Sequence, residues 1–200
     1  MKRKSLTITL IVLGICTLGI INAAAQYPTQ LSVNYFANNG VSGAPDATVR
    51  VTNPGTAFEN ICAQVYVFDN DQQMSECCGC LTTPDGLRTF SVTKDLTSNP
   101  LTGVVSKNGD IKLLATEVND SPCDPTLGIG VGPVVPTVNT YLDAWATHIQ
   151  NKVGTAYPIT ETAFTDAGLN DGVAVNLAED CFFIERLGSG HGICSCGTGD

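Results

Sequence analysis

Charged residues are scarce in this 200-residue chain: they make up 14 % of it, against roughly 25 % in an average soluble protein. Basic residues are the scarcer kind, with 10 Lys and Arg against 19 Asp and Glu, and the formal net charge is −9. A protein that binds a phosphate backbone needs the opposite sign, so the composition argues against nucleic acid as a partner. With 43 % hydrophobic residues, the chain holds enough apolar material for a core and is not intrinsically disordered.

An apolar run long enough to span a membrane is also missing. The one extended apolar stretch, Leu6 to Ile21, has about 16 residues, short of the roughly 20 that cross a bilayer. It follows the basic residues Lys2 to Lys4 and precedes Ala23-Ala24-Ala25, an arrangement typical of a secretory signal peptide. We therefore predict that residues 1–25 are removed, and that residues 26–200 form a single secreted, β-rich domain without a transmembrane segment.

Histidine is rare, which limits the catalytic schemes that the chain can support. His148 and His191 are the two histidines, and Ser189 and Ser195 lie close to His191 in sequence. A Ser/His hydrolase also needs a carboxylate that orients the histidine and an oxyanion hole, and the sequence indicates neither. We interpret Gly188 to Gly192 as a connecting segment and predict no catalytic residue. A hydrolase remains the weakest functional alternative.

Metal and sugar sites have only weak support from residue types. Asp69, Asp71 and Glu76 offer oxygen ligands for calcium, but the D-x-[DN]-x-[DN]-G loop is absent, so we predict neither a metal site nor a cofactor. A sugar-binding face would need exposed aromatic rings, and with aromatics at 6 % we expect core packing for them instead. The aromatic residues considered for such a face are Tyr66, Tyr141, Trp145 and Tyr157.

Cysteine, by contrast, is abundant. One of the nine cysteines, Cys16, lies in the predicted signal peptide. The others are Cys62, Cys77, Cys78, Cys80, Cys123, Cys181, Cys194 and Cys196. An even number of cysteines in an exported protein usually forms a disulfide framework, although the sequence alone does not select the pairing. Their proportion is below that of scaffolds in which bridges replace a core, so we expect the bridges to supplement one.

The two dense cysteine clusters, residues 77–80 and 194–196, raise two alternatives. A zinc site favours wider spacing between its cysteines than C-C-x-C and C-x-C provide, and a redox site would favour a C-x-x-C motif. We therefore favour disulfides and keep a cysteine-cluster metal-binding or redox protein as the alternative. Because the adjacent Cys77 and Cys78 cannot easily bridge each other, we predict a bridge from residues 77–80 to Cys181, Cys194 or Cys196.

Short β patterns separated by turn residues dominate the body of the chain. Strands are predicted at Leu31–Phe36, Thr48–Thr52, Ile61–Phe68, Leu87–Val92 and Ile111–Val118, with the cysteine cluster between the third and the fourth. For Tyr141 to Gln150 we favour a strand over a short helix. The pattern predicts a mainly β fold, an immunoglobulin-like antiparallel β-sandwich stapled by disulfides.

Two segments depart from the β pattern. Residues 122–140 are rich in glycine and proline and are predicted to form a loop. Asp171 to Leu187 is predicted to be the one C-terminal α-helix, which should pack on a sheet and place Cys181 as a disulfide partner. Its apolar residues with helical spacing are Val173, Leu177, Cys181, Ile184 and Leu187.

Several stretches resemble a family of secreted, cysteine-containing bacterial proteins that have no assigned function. These stretches are VTNPG, ICAQVYVFDNDQQMSECCGC, DLTSNPLTG, ETAF and LGSGHGICSCG. The resemblance extends from about Ala47 to Gly197, leaves the glycine- and proline-rich loop as the variable part, and implies export and a single domain. It implies no activity, cofactor or catalytic residue. From the residues themselves, we expect a non-enzymatic structural, adhesive or binding module with a cell-surface or matrix partner.

Overall fold

The computed structural model describes residues 31–56, 58–98, 103–118, 123–126, 142–169, 171–187 and 194–196. The predicted signal peptide, Tyr141, Ser189, His191 and most of the predicted loop lie outside these ranges. The strands are β1 (Leu31–Phe36), β2 (Thr48–Thr52), β3 (Ile61–Asp69), β4 (Met74–Thr82), β5 (Leu87–Ser91), β6 (Gly109–Glu117), β7 (Asp143–Ile149), β8 (Ile159–Ala163) and β9 (Thr165–Asp166). A five-residue π-helical turn, Val92–Leu96, follows β5, and α1 spans Asp171–Arg186.

The strands form two antiparallel sheets that face each other. Sheet 1 has the order β4-β3-β6-β1-β9, and sheet 2 has the order β5-β2-β7-β8. Alternate side chains of both sheets meet in one buried core, to which β2 contributes Val49 and Val51, β3 contributes Val65, and β6 contributes Leu113. Burying one face of each strand against the other sheet gives a sandwich. The predicted mainly β, two-sheet architecture is confirmed.

The predicted strands agree with the structure to within a few residues, but two strands of appreciable length were not predicted. β4, with the sequence MSECCGCLT, contains the cysteine cluster. It has few of the β-branched and aromatic residues that are typical of strands. β8, with the sequence ITETA, is exposed at all five positions and therefore carries no apolar alternation to detect. The segment for which we favoured a strand over a helix is indeed a strand, β7.

The C-terminal helix packs on the outer face of sheet 1, as predicted. From the sheet it contacts Leu31, Tyr66, Met74 and Leu114. Its buried residues are Ala174, Leu177, Ala178 and Cys181. The predicted apolar stripe was wrong at Leu187, which is 65 % exposed because α1 ends one residue earlier, at Arg186. The buried side of α1 includes Ala174 and Ala178, which the predicted stripe did not contain. Small alanine side chains let the helix lie close to the sheet.

Four disulfides join all eight cysteines of the predicted framework. The pairs and their Cα–Cα distances are Cys62–Cys123 at 5.3 Å, Cys77–Cys181 at 5.9 Å, Cys78–Cys194 at 5.2 Å and Cys80–Cys196 at 5.4 Å. Because successive side chains of a strand point to opposite faces, β4 directs Cys78 and Cys80 to one side and Cys77 to the other, toward α1. The predicted link between the 77–80 cluster and the C-terminal cysteines is confirmed by three of the four bridges.

The C-terminal segment 194–196 lies along the outer edge of β4. The Cys194 N–H donates to the Cys77 carbonyl at 3.2 Å, and the Ser195 N–H donates to the Asp95 carbonyl at 2.9 Å. An edge strand otherwise presents unpaired N–H and C=O groups to other chains. The two neighbouring bridges therefore hold this segment where it covers an edge of sheet 1.

The described part of the chain contains no helix with the length and apolar composition needed to span a membrane.

Candidate functional site

The two sheets differ in what lies on their outer faces. The outer face of sheet 1 carries α1, whose Cys181 is bonded to Cys77 of β4. Within the described ranges, the outer face of sheet 2 carries no α-helix, and Trp145 stands on it with 39 % of its surface exposed. We call this outer face of sheet 2 the open face. Its outward residues are Thr48, Arg50 and Thr52 of β2, Leu87, Thr89 and Ser91 of β5, Asp143, Trp145 and Thr147 of β7, and Ile159, Glu161 and Ala163 of β8.

Strand register places Trp145 near the middle of the open face. Arg50 lies opposite Trp145 in the β2–β7 pair, and Ala163 lies opposite it in the β7–β8 pair. Residues paired in this way project to the same face of a sheet. Because the side chain of Ala163 is a single methyl group, β8 shields little of the Trp145 ring from solvent.

An ion pair bridges β2 and β8 beside Trp145. The Arg50 Nη1 atom lies 2.9 Å from Glu161 Oε1, and both side chains are partly exposed. The pair spans the strand that carries Trp145, so the guanidinium extends toward β8. Its charges compensate each other, while the remaining guanidinium N–H groups and carboxylate lone pairs stay available to a ligand.

Threonine and serine supply most of the other polar groups on the open face. The Thr147 hydroxyl accepts from the Thr48 N–H at 2.7 Å, and the two hydroxyl oxygens lie 3.3 Å apart. Asp143 is the second carboxylate on this face, and burial raises its pKa. The open face therefore combines one indole, one ion pair, the Asp143 carboxyl and several hydroxyls, of which that of Thr89 is buried, with the apolar side chains of Leu87 and Ile159 at its margins.

A second polar cluster lies between the sheets, where the chain leaves β8 and enters β9. His148 Nε2 lies 2.6 Å from the Thr162 hydroxyl, which also accepts from Asn34 Nδ2 at 3.2 Å. The Tyr35 ring stacks on the imidazole with 4.0 Å between centroids. Burial lowers the pKa of His148, so the ring is neutral near neutral pH.

The hydroxyl–imidazole contact is similar to a nucleophile–base pair, but its other partners do not fit that role. Among the described residues, no carboxylate forms an ion pair with His148, whereas the histidine of a Ser/His/Asp triad is oriented by one; the other group that interacts with the imidazole is the Tyr35 backbone. The Asn34 amide also donates to the Thr162 and Ala163 carbonyls of β8, at 3.2 and 3.3 Å. The cluster therefore fastens β8 to β1 and closes that side of the sandwich.

Glu76 is an isolated carboxyl in the interior. It lies opposite Val67 in the β3–β4 pair and so projects toward the core between the sheets. It is 2 % exposed, and neither carboxyl oxygen has a hydrogen-bond partner among the described residues. Burial raises its pKa to about 7.

The structure does not bring together the acidic residues that were considered as calcium ligands. Asp69 Oδ1 accepts from the N–H groups of Asp71 and Gln73, at 2.9 and 3.0 Å, and so stabilises the turn between β3 and β4. Glu76 points into the core instead of toward that turn. Asp69 therefore shapes a tight turn, and the prediction that these acidic residues form no metal site stays a prediction.

The cysteine-cluster alternative is not supported by the bridged geometry. The side-chain ligand atoms of Cys77, Cys181 and Glu185 lie within 4.8 Å of one another, which is metal-like spacing. The two sulfur atoms, however, are bonded to each other, and a metal needs thiolates. With all eight cysteines bridged, none of them offers a thiolate to a metal, whereas the redox alternative stays untested because a redox-active pair is also bridged when oxidised.

Of the four aromatic residues considered for a sugar-binding face, the three that the structure describes are dispersed. Tyr66 is fully buried beneath α1, and its hydroxyl donates to the Pro125 carbonyl at 3.2 Å. Tyr157 packs partly against the core, and Tyr141 lies outside the described residues. Our expectation of core packing was wrong for Trp145. The alternation of Ala144, Trp145 and Ala146 indicates which side faces out, because the two small residues point into the core.

The residues weighed for a hydrolase are only partly described. Ser195 is exposed, and its N–H is bonded to the Asp95 carbonyl. Ser189 and His191 lie outside the described residues, so the prediction about them stays a prediction.

Comparisons of the chain with protein-family models, curated proteins and solved structures find no match. The resemblance to secreted cysteine-containing proteins therefore stays a prediction, and any function must be argued from the geometry of this chain.

Proposed function

We propose that this protein is an exported, non-enzymatic binding module that attaches to a cell-surface or matrix polymer through the open face. One observation carries the proposal: Trp145 is exposed near the middle of a sheet face that no described helix covers, whereas the other outer face is covered. Tryptophan is enriched at binding hot spots because its large ring gains much from desolvation.

The construction of the open face supports this role. Trp145 stands on a central strand that pairs on both sides, with β2 and with β8. A side chain on a paired strand is held more rigidly than one on a loop, and rigid contact groups lose less conformational entropy when a ligand binds. The ion pair and hydroxyls around Trp145 would form the polar surroundings of the contact.

The disulfides support the proposed location. The protein has four disulfides. Disulfides form and persist in oxidising compartments and are rare in compartments where thiols are kept reduced. Together with the predicted signal peptide of residues 1–25, they favour a protein that works outside the cytoplasm. A stable module attached to a polymer outside the cell also benefits from covalent cross-links, because no cellular machinery refolds it there.

The test is retention on cell-envelope polymer from which all protein has been stripped. Retention of the parent protein should fall about tenfold or more in Trp145→Ala, since a central aromatic contact is worth more than 1 kcal/mol. The matched control is Phe183→Ala, which removes another exposed aromatic ring, 62 % exposed, from α1 on the far side of the molecule. Equal retention of Trp145→Ala and parent protein, at equal melting temperature, would overturn the proposal.

A further inference from the structure

We infer that the ligand of the open face is a neutral polysaccharide, one sugar ring of which stacks on Trp145 while the Arg50–Glu161 pair binds its hydroxyls. This inference rests on the proposed function and names the ligand class. The observations behind it are the exposed indole, the compensated ion pair beside it and the hydroxyl-bearing strands around both.

The indole selects for a ligand with a flat, weakly polar side. The face of an aromatic ring carries negative potential and attracts polarised C–H groups. A sugar ring offers several such C–H groups on one side and hydroxyls around its rim. Ala163, opposite Trp145, adds only a methyl group beside the indole.

Charge argues against polyanionic ligands. The positive charge of Arg50 is compensated by Glu161, and Asp143 adds a carboxylate to the same face. The chain as a whole carries a formal net charge of −9. A polyanion such as a uronic acid polymer or nucleic acid would meet net repulsion from such a surface.

A cationic ligand also fits poorly. Quaternary ammonium groups are bound by cages of several aromatic rings. Of the aromatic side chains in the described residues, Trp145 is the one that projects from the open face, because the outward row through it holds Thr89, Arg50 and Ala163. The Arg50 guanidinium next to the ring would further repel a cation.

The ion pair complements a sugar in a different way. A guanidinium has five N–H donors in a planar fork, and a carboxylate has several acceptor positions, so that a bridged pair can donate to one hydroxyl and accept from its neighbour. Arg50 uses a single N–H group for the contact with Glu161 Oε1 at 2.9 Å. The other donors are available to neighbouring hydroxyls on a sugar.

The flat shape of a sheet face favours a polymer over a free sugar. An open face contacts one side of a ligand, so a monosaccharide would gain little energy after its loss of translational freedom. Successive sugars of a chain can instead contact successive strands, which lie about 4.8 Å apart. We therefore expect affinity to rise with chain length.

The chain provides a specific probe for this contact, because Trp145 is its only tryptophan. Intrinsic fluorescence is titrated with four soluble ligands: a neutral β-glucan, a neutral α-glucan, polygalacturonate and choline. We expect saturable quenching or a blue shift with a neutral glucan, little dependence on salt, and no response to the other two ligands. The response should be retained in Phe183→Ala.

The ion pair is tested separately by the double variant Arg50→Ala with Glu161→Ala, which leaves the net charge unchanged. We expect affinity for the responding glucan to fall about fivefold, the equivalent of one lost hydrogen bond. Unchanged affinity in this variant would overturn the assigned role of the pair. Binding of polygalacturonate or choline, or no response to either glucan, would overturn the ligand class. In that last case, Trp145-dependent retention on envelope polymer would still support the proposed function, and its loss would count against both.

Discussion

The chemistry of single residues in this sandwich depends on which face of a strand they occupy. Glu76 belongs to an acidic stretch, DNDQQMSE, which from its sequence indicates an exposed turn. Pairing of β4 with β3 turns its side chain into the core, where its carboxyl oxygens have no partner within the described ranges. Trp145 shows the opposite case, since strand pairing turns a typical core residue outward. Neither position follows from residue type, because each is decided by the register of a neighbouring strand.

Glu76 should make the protein less stable as the pH rises. Its folded-state pKa of about 7 exceeds the ordinary 4.5, so above pH 4.5 the unfolded state binds fewer protons than the folded state. Stability should then fall as the pH rises from about 4.5 to about 7, by up to roughly 3 kcal/mol. Denaturant unfolding at pH 5 and pH 8 measures this. Glu76→Gln should abolish most of the difference, and a parent protein equally stable at both pH values would contradict the prediction.

His148 should act in the opposite direction. Burial lowers its pKa below 6.5, so the unfolded state takes up a proton before the folded state does, and stability is lost as the pH falls below 6.5. Because Glu76 titrates over an overlapping range, the effect is best measured in the Glu76→Gln background. There, unfolding free energy should decrease from pH 7 to pH 5, and adding His148→Gln should flatten the curve. A curve that is already flat in the single variant would count against a buried neutral imidazole.

At the scale of elements, the predictions succeeded where apolar alternation or helical spacing marks a strand or helix, as in β2 and α1. They missed β4 because its buried side is made of Glu76, Cys78 and Cys80, and two of those are buried by bridges to segment 194–196. They missed β8 because a fully exposed strand has no apolar side, although its hydrogen bonds to β7 are regular. Each of these strands is defined by its pairing with the strand before it in the chain, β3 for β4 and β7 for β8, and not by an apolar pattern of its own.

Helix α1 should depend on its buried row far more than on its exposed side. Leu177 is 3 % exposed and packs against sheet 1, whereas the adjacent Asn176 is exposed. Leu177→Asp buries an unpaired charge and should cost several kcal/mol, enough to prevent secretion of folded protein. Asn176→Asp introduces the same charge one residue earlier and should change stability by less than about 0.5 kcal/mol. Secreted yield and melting temperature of the two variants, measured in parallel, make the comparison; similar losses in both would contradict the packing of α1.

The whole molecule is closed on both sides, by different means. On one side the chain passes from β8 through the buried Phe164 to β9, so that one continuous segment belongs to both sheets. On the other side segment 194–196 is bonded to β4 through two bridges, and Arg88 of β5 donates to the Leu81 carbonyl of β4 at 2.8 Å. The even number of cysteines in the sequence predicted disulfides. It did not predict that two of these disulfides would hold a segment over the edge of a sheet.

The bridges that hold segment 194–196 against the edge of β4 should differ in their effect from the Cys62–Cys123 bridge, which does not cover that edge. Replacing Cys80 and Cys196 together by alanine, which leaves no free thiol, removes a cross-link between residues 116 positions apart and should cost about 2–4 kcal/mol. It should also loosen segment 194–196, expose the edge of β4 and cause association between copies of the chain. Replacing Cys62 and Cys123 in the same way removes a bridge that spans 61 positions but leaves the edge covered, so it should lower stability without association. Denaturant unfolding and light scattering after size-exclusion chromatography separate the two effects. If both variants associate to the same extent, or neither does, then protection of the β4 edge is not the role of the C-terminal bridges.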